Sequence, residues 1–201
     1  MNTLQLAKMK QHLLQEIGEN TAAPYDWKIN STNEDDDYKI TNYGFDADVQ
    51  KKDKDGNVID DITVPYVVVI SRDMMWASPY GNSSDKLIYR VSFGIRTSID
   101  WVSFSSTSKD MDTGNWRRVM ATVIDIIEKK VLTDSFALEN ELEEYTIEIH
   151  PSKESDEDNR RLNLYMMYIK KNMPSDASVY TSTDEDDLDV IEVVIPAKEI
   201  Y

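Results

Sequence analysis

The segment Asp53-Lys54-Asp55-Gly56-Asn57 has the composition of a calcium loop, in which carboxylates at alternate positions turn about a glycine. Aligned on Gly56, Asp53 and Asp55 fall at the third and fifth ligand positions. The first position is then Lys51 and the twelfth Ile62, so two essential carboxylates are missing. The segment reads instead as a hairpin turn, because Asp-Gly tolerates the positive φ of a tight connection. His12 and His150 are the two histidines, too few for a multi-histidine metal centre within one chain. With no cysteine there is no disulfide, thiolate catalysis or Cys-ligated zinc. The glycine-lysine phosphate loop, the dinucleotide fingerprint, the nucleophile elbow and the zinc-protease helix are all absent from the sequence. Among 38 acidic residues some pair always lies at glycosidase-like separation, so carboxylates alone do not argue for catalysis. No catalytic, cofactor-binding or metal-binding residue is predicted, and the chain reads as non-enzymatic.

Two other features concern protein binding. Residues 73–81 join two strand signals, where a connection should be polar, yet carry Met74, Met75, Trp76 and Tyr80. Methionine and aromatic side chains supply large, adaptable contact area at recognition surfaces. These four are candidate partner-binding residues, set against the plainer reading that they tuck under the loop as a satellite core. Acidic clusters at 34–37, 60–61, 139–144, 154–158 and 184–189 fall on turns or helix starts, as solvated loops would. The sharper reading is a DNA-mimic face, which requires those clusters to converge.

The elements that must position these residues begin with Leu6, Met9, Leu13 and Ile17, whose spacing predicts a helix over 1–19 at an edge or an interface. Strand signals follow. Phe45, Ala47 and Val49 alternate with charged residues, and Val58, Ile62, Val64, Tyr66, Val68 and Ile70 recur at every second position apart from a gap after Val58. The longest alternation runs Leu87, Tyr89, Val91, Phe93, Ile95, Thr97, Ile99 and Trp101, with a bulge expected at Gly94. A helix over 113–132 lines Trp116, Val119, Met120, Val123, Ile127 and Val131 on one stripe, with Lys129 and Lys130 in its last turn. Residues 144–150 read as a strand. Ser155 and Asp158 form a capping-box pattern opening a helix over 156–173, and residues 188–195 close as a strand.

The 201 residues carry a formal net charge of -16 and are 40% hydrophobic, enough for one domain with a real core. That charge disfavours direct binding to nucleic acid or anionic membranes. No apolar run reaches the roughly 20 residues of a membrane span. A protein partner, either a second copy or a basic protein, is expected.

Residues 113–127, Thr-Gly-Asn-Trp-Arg-Arg-Val-Met-Ala-Thr-Val-Ile-Asp-Ile-Ile, are followed by a strand and then by Arg161-Leu162-Asn163-Leu164-Tyr165. This resembles a pattern of small tailed-bacteriophage proteins: a Thr-Gly turn, a helix with an apolar-Ala-Thr-Val core, then a Ser-Arg-x-x-Leu-Tyr helix. The resemblance covers about a third of the chain. It departs at Asn159-Arg160, where a serine usually precedes the arginine, and in a longer preceding loop. It implies a phage origin and a shared α+β core, and no activity. Arg161 and Tyr165 join the candidate partner-binding residues, beside a structural role in which Tyr165 packs its ring and Thr122 bonds back to a helix carbonyl.

The expected architecture is a single α+β domain over 1–201, a mostly antiparallel curved sheet covered by two or three helices. The expected function is a phage-encoded protein-binding protein, a virion or assembly component. The alternative is an acidic early protein that binds and inhibits a host or defence factor.

Overall fold

The computed structural model describes residues 22–52, 58–77, 84–96, 102–103, 111–112, 116–150, 160–183 and 189–197. Strands β1 (Trp27–Glu34), β2 (Tyr38–Lys52), β3 (Val58–Met75) and β4 (Lys86–Arg96) form an antiparallel meander. Short strands β5 (Val102–Ser103) and β6 (Met111–Asp112) pair with β4 and β2. Helix α1 (Trp116–Lys130) and the one-turn α2 (Phe136–Glu139) lead to β7 (Glu144–His150), which runs parallel to β4. Helix α3 (Arg160–Asn172) precedes β8 (Ser178–Thr183), and β9 (Asp189–Pro196) lies between β7 and β8. The sheet order is β1-β2-β3-β4-β7-β9-β8.

This corrects the expected fold class. Strand makes up 55% and helix 23% of the structure, so one mixed sheet dominates where an α+β domain under two or three helices was expected. The physical reason is strand length and a hidden parallel seam. β2 and β3 run for 15 and 18 residues. The β4–β7 pairing is parallel, and period-two alternation looks the same for either strand direction.

One face of the sheet carries the core. Tyr43, Val68 and Phe93 are cross-strand neighbours on it, as are Ile70, Val91, Ile149 and Ile191. All are buried, and Val68, Val91, Ile149 and Ile191 are fully so. Val123, Ile126 and Ile127 of α1 and Ile169 of α3 belong to the same core. α1 is buried beyond the expected single stripe, because Ala121, Thr122, Ile124 and Ile126 are also buried. The segment ahead of β1 straps across it. Tyr25 N donates to Thr122 Oγ1 at 2.8 Å, Arg118 Nε to the Ala23 carbonyl at 3.0 Å, and Trp27 Nε1 to Asp125 Oδ2 at 2.7 Å. Thr122 Oγ1 in turn donates to the Arg118 carbonyl one turn back, as its place in the helix predicts.

Two backbone details differ from expectation. Gly94 pairs with Val67 in unbroken register, and the β1–β2 bulge falls between Ile29 and Ser31. α2 went unread, because residues 139–144 look like an acidic turn. α2 closes with Leu142 N donating to the Ala137 carbonyl at 2.9 Å and Glu141 N to the Leu138 carbonyl at 3.1 Å. This is a Schellman cap, and it places Glu141 at φ 56, in the left-handed region. The helix over 1–19, the Asp55-Gly56 turn, Trp101 and the Ser155–Asp158 pattern lie outside the described residues.

A non-glycine residue at that cap carries about 1 kcal/mol of backbone strain. Glu141→Gly is therefore expected to be about 1 kcal/mol more stable than Glu141→Ala by chemical denaturation. Equal midpoints would mean the position is unstrained.

Candidate functional site

The sheet face away from the helices holds the candidate site. Alternation sends Arg90, Glu148, Glu192 and Tyr180 to this open face. The register then sets them side by side across β4, β7, β9 and β8. Where this face meets the turn after α2, a trough of about 550 Å³ opens. Six carboxylates line it: Asp85 ahead of β4, Glu141 and Glu143 in the α2–β7 turn, Glu144 and Glu148 on β7, and Glu192 on β9. Lys86 is the one cation among the described lining residues. Ile88, Val194 and Tyr180 give the trough an apolar floor and wall. The left-handed turn at Glu141 helps bring the acids together, by doubling the chain back from α2 into β7.

Arg90 clips the face together. Its Nη1 pairs with Asp73, and its Nε donates to Glu148 Oε2 at 2.9 Å. His150 approaches the same oxygen, with Nε2 3.9 Å away. That separation is beyond hydrogen-bond range, so the Arg90 pair is the firmer contact. The approach of His150 and the Arg90 guanidinium hold the Glu148 carboxyl below its ordinary 4.5, against partial burial. Burial raises the Tyr180 phenol, and its hydrogen bond to Glu192 and the charges of Glu192 and Glu144 add to that. Tyr180 nonetheless remains exposed.

The expected partner-binding residues separate. Met74 points into the core at 7% exposure, on the packing side of its two readings. The alternation of β3 dictates this, since Met74 follows Val68, Ile70 and Arg72 on the inner face. Met75 and Trp76 stand out at 52% and 53% exposure. Met75 pairs with Lys86 at the rim of the trough, and Trp76 Nε1 donates to Asp37 Oδ1 at 2.9 Å. Tyr165 lies across the sheet, its ring edge-on to Phe93 at 5.8 Å between centroids, so it does not share a site with Met75. Arg161 is on α3, with its side chain outside the described residues, as is Tyr80.

Sequence reasoning missed the trough and one buried charge. Arg72 is 6% exposed, at an inward position of β3. The available signal was an arginine continuing the Val64, Tyr66, Val68, Ile70 series. Among the described residues the carboxylates form no group that could hold a metal ion, and no helix is long and apolar enough to cross a membrane. No family model matches this chain, no curated protein does, and no solved structure does.

A carboxyl held low in the folded state favours folding above its ordinary range, and that contribution is lost as pH falls through the folded value. Denaturation between about pH 6 and pH 3 should therefore show the wild type losing more stability than Glu148→Gln. Parallel losses would mean the Arg90 clip is not coupled to folding.

Proposed function

We propose that this chain is a non-enzymatic, phage-encoded protein-binding protein whose open face takes a basic, extended segment of an unlike partner. One observation carries the reading: six carboxylates from separate parts of the chain line one trough that has a single described lysine. Charge complementarity of this kind steers association and selects partners. Exposed Met75 and Trp76 on one flank and Tyr180 on the other offer the apolar anchors that binding surfaces concentrate.

The phage assignment rests on the resemblance at residues 113–127 and 161–165. Within it, the trough favours the early protein that engages a host factor over the assembly component. Two copies meeting through this face would oppose like charges. A concave trough also suits a basic segment better than it imitates the outward-facing phosphates of DNA.

The edge strand β8 extends the surface. It carries no charge, proline or bulge in Ser178–Thr183, the features that usually protect an edge. A partner strand adding there would place alternate side chains beside Tyr180, with Glu192 one strand further in.

The test is calorimetric titration with a peptide of alternating lysine and serine. Affinity should fall steeply between about 50 and 200 mM salt. It should drop about tenfold in the Glu144→Gln, Glu192→Gln double variant and also fall in Trp76→Ser. Removing Asp46 and Glu128, exposed acids outside the trough, should change little. Equal losses in the two double variants would leave only diffuse attraction to an acidic protein and reject the trough.

A further inference from the structure

On the opposite, helix-covered face, the chain builds a second concavity of reversed charge. Glu34, Lys39, Arg72 and Tyr89 are successive cross-strand neighbours over β1–β4. The last turn of α1 and the residues after it pass beside them, leaving a half-open cleft of about 300 Å³. Four cations line it, Lys39, Arg72, Lys129 and Lys130, against one carboxylate, Asp134. In a chain of net charge -16 this is a local reversal. Thr32, Thr41 and Thr133 add hydroxyls from a strand, its neighbour and the turn above. Thr32 reaches the cavity because the bulge after Ile29 flips the parity of β1 and pairs it with Thr41.

Neighbouring acids pair with three of the four cations, and Arg72 is the one they leave poorly met. Glu34 meets Lys39 at 3.0 Å and Arg72 at 3.4 Å, Asp134 meets Arg72 at 3.5 Å, and Asp125 holds Lys129 at 2.8 Å. The Lys130 ammonium lies over the Trp27 ring at 5.7 Å. Arg72 is the decisive residue. Its side chain is 7% exposed, and the Phe136 ring covers its guanidinium at 3.7 Å. Both of its ion pairs are longer than the 2.7–2.9 Å of a strong charge-assisted bond. Its buried Nε has no acceptor among the described residues. A guanidinium removed from water with its donors this poorly met is costly, and an oxyanion would satisfy it.

We propose that this cavity binds a small phosphorylated molecule, with the phosphoryl group seated among Arg72, Lys39 and the Lys129–Lys130 turn. Donors on strands below and on a turn above suit a tetrahedral oxyanion, whereas a planar carboxylate is served by one arginine fork. The cavity's size and the acidity of the rest of the chain select against a nucleic-acid backbone. The proposal does not depend on the peptide-binding reading, since it uses the other face of the sheet.

Titration of the full chain with inorganic phosphate and with ribose 5-phosphate, each at constant ionic strength, tests this. Both should bind saturably and raise the melting temperature, with malonate much weaker. Because Arg72 variants risk misfolding, the informative variant is Lys39→Met with Lys130→Met. It should weaken both phosphate probes about tenfold or more, while Lys28→Met with Lys170→Met, exposed lysines outside both concavities, leaves them unchanged. Absence of saturable binding, equal response to malonate, or equal weakening by the two double variants would overturn the proposal.

Discussion

The parallel contact between β4 and β7 is the constraint on which the rest of this molecule depends. Antiparallel neighbours can be joined by a hairpin, but parallel neighbours need a crossover long enough to return the chain to its starting end. Here α1 and α2 lie in that crossover. The crossing lays Val123, Ile126 and Ile127 on the sheet and seals the core. It also fixes where the crossover ends: the last turn of α1 stands over the β1–β3 row, and the α2 turn stands at the start of β7. Both concavities are formed where the crossover meets the sheet.

The same constraint divides the electrostatics. Strand alternation gives each face its own residue set, so Arg72 and Lys39 fall inward, while Glu148 and Glu192 fall outward, on the same continuous sheet. On the open face Arg90 is spent on Asp73 and Glu148, which leaves Lys86 as the one cation lining the trough among the described residues. On the inner face low exposure around Arg72 strengthens every charge interaction it makes. A chain that is acidic as a whole thus holds one concave anionic surface and one concave cationic one.

Much of this was legible residue by residue, and little of it as a whole. Alternation in β3 and β4, the two lysines ending α1 and the back-bond of Thr122 follow from local periodicity and local bonding, which a sequence displays. Sheet order does not, because it joins strands far apart in the chain. The fold class was misjudged for that reason, since how far strand outweighs helix depends on pairings that local periodicity does not display. Met75 and Trp76 were legible as unusual loop residues, but the parity that buries Met74 had to be carried past Ile70 to be seen. The trough was illegible because Asp85, Glu141, Glu148 and Glu192 meet only through the β4–β7–β9 register. Arg72 was legible in principle, as a charge at an inward position of an apolar alternation.

The most direct test of the central claim, that the open face is the binding surface, is an amide-resolved NMR titration of the chain with the alternating lysine-serine peptide. The account predicts shifts concentrated on Glu144–His150, Ser178–Thr183, Glu192 and the Met75–Trp76 corner, with α1 and α3 unmoved. Shifts spread evenly over all exposed acids, or centred on the helices, would contradict it.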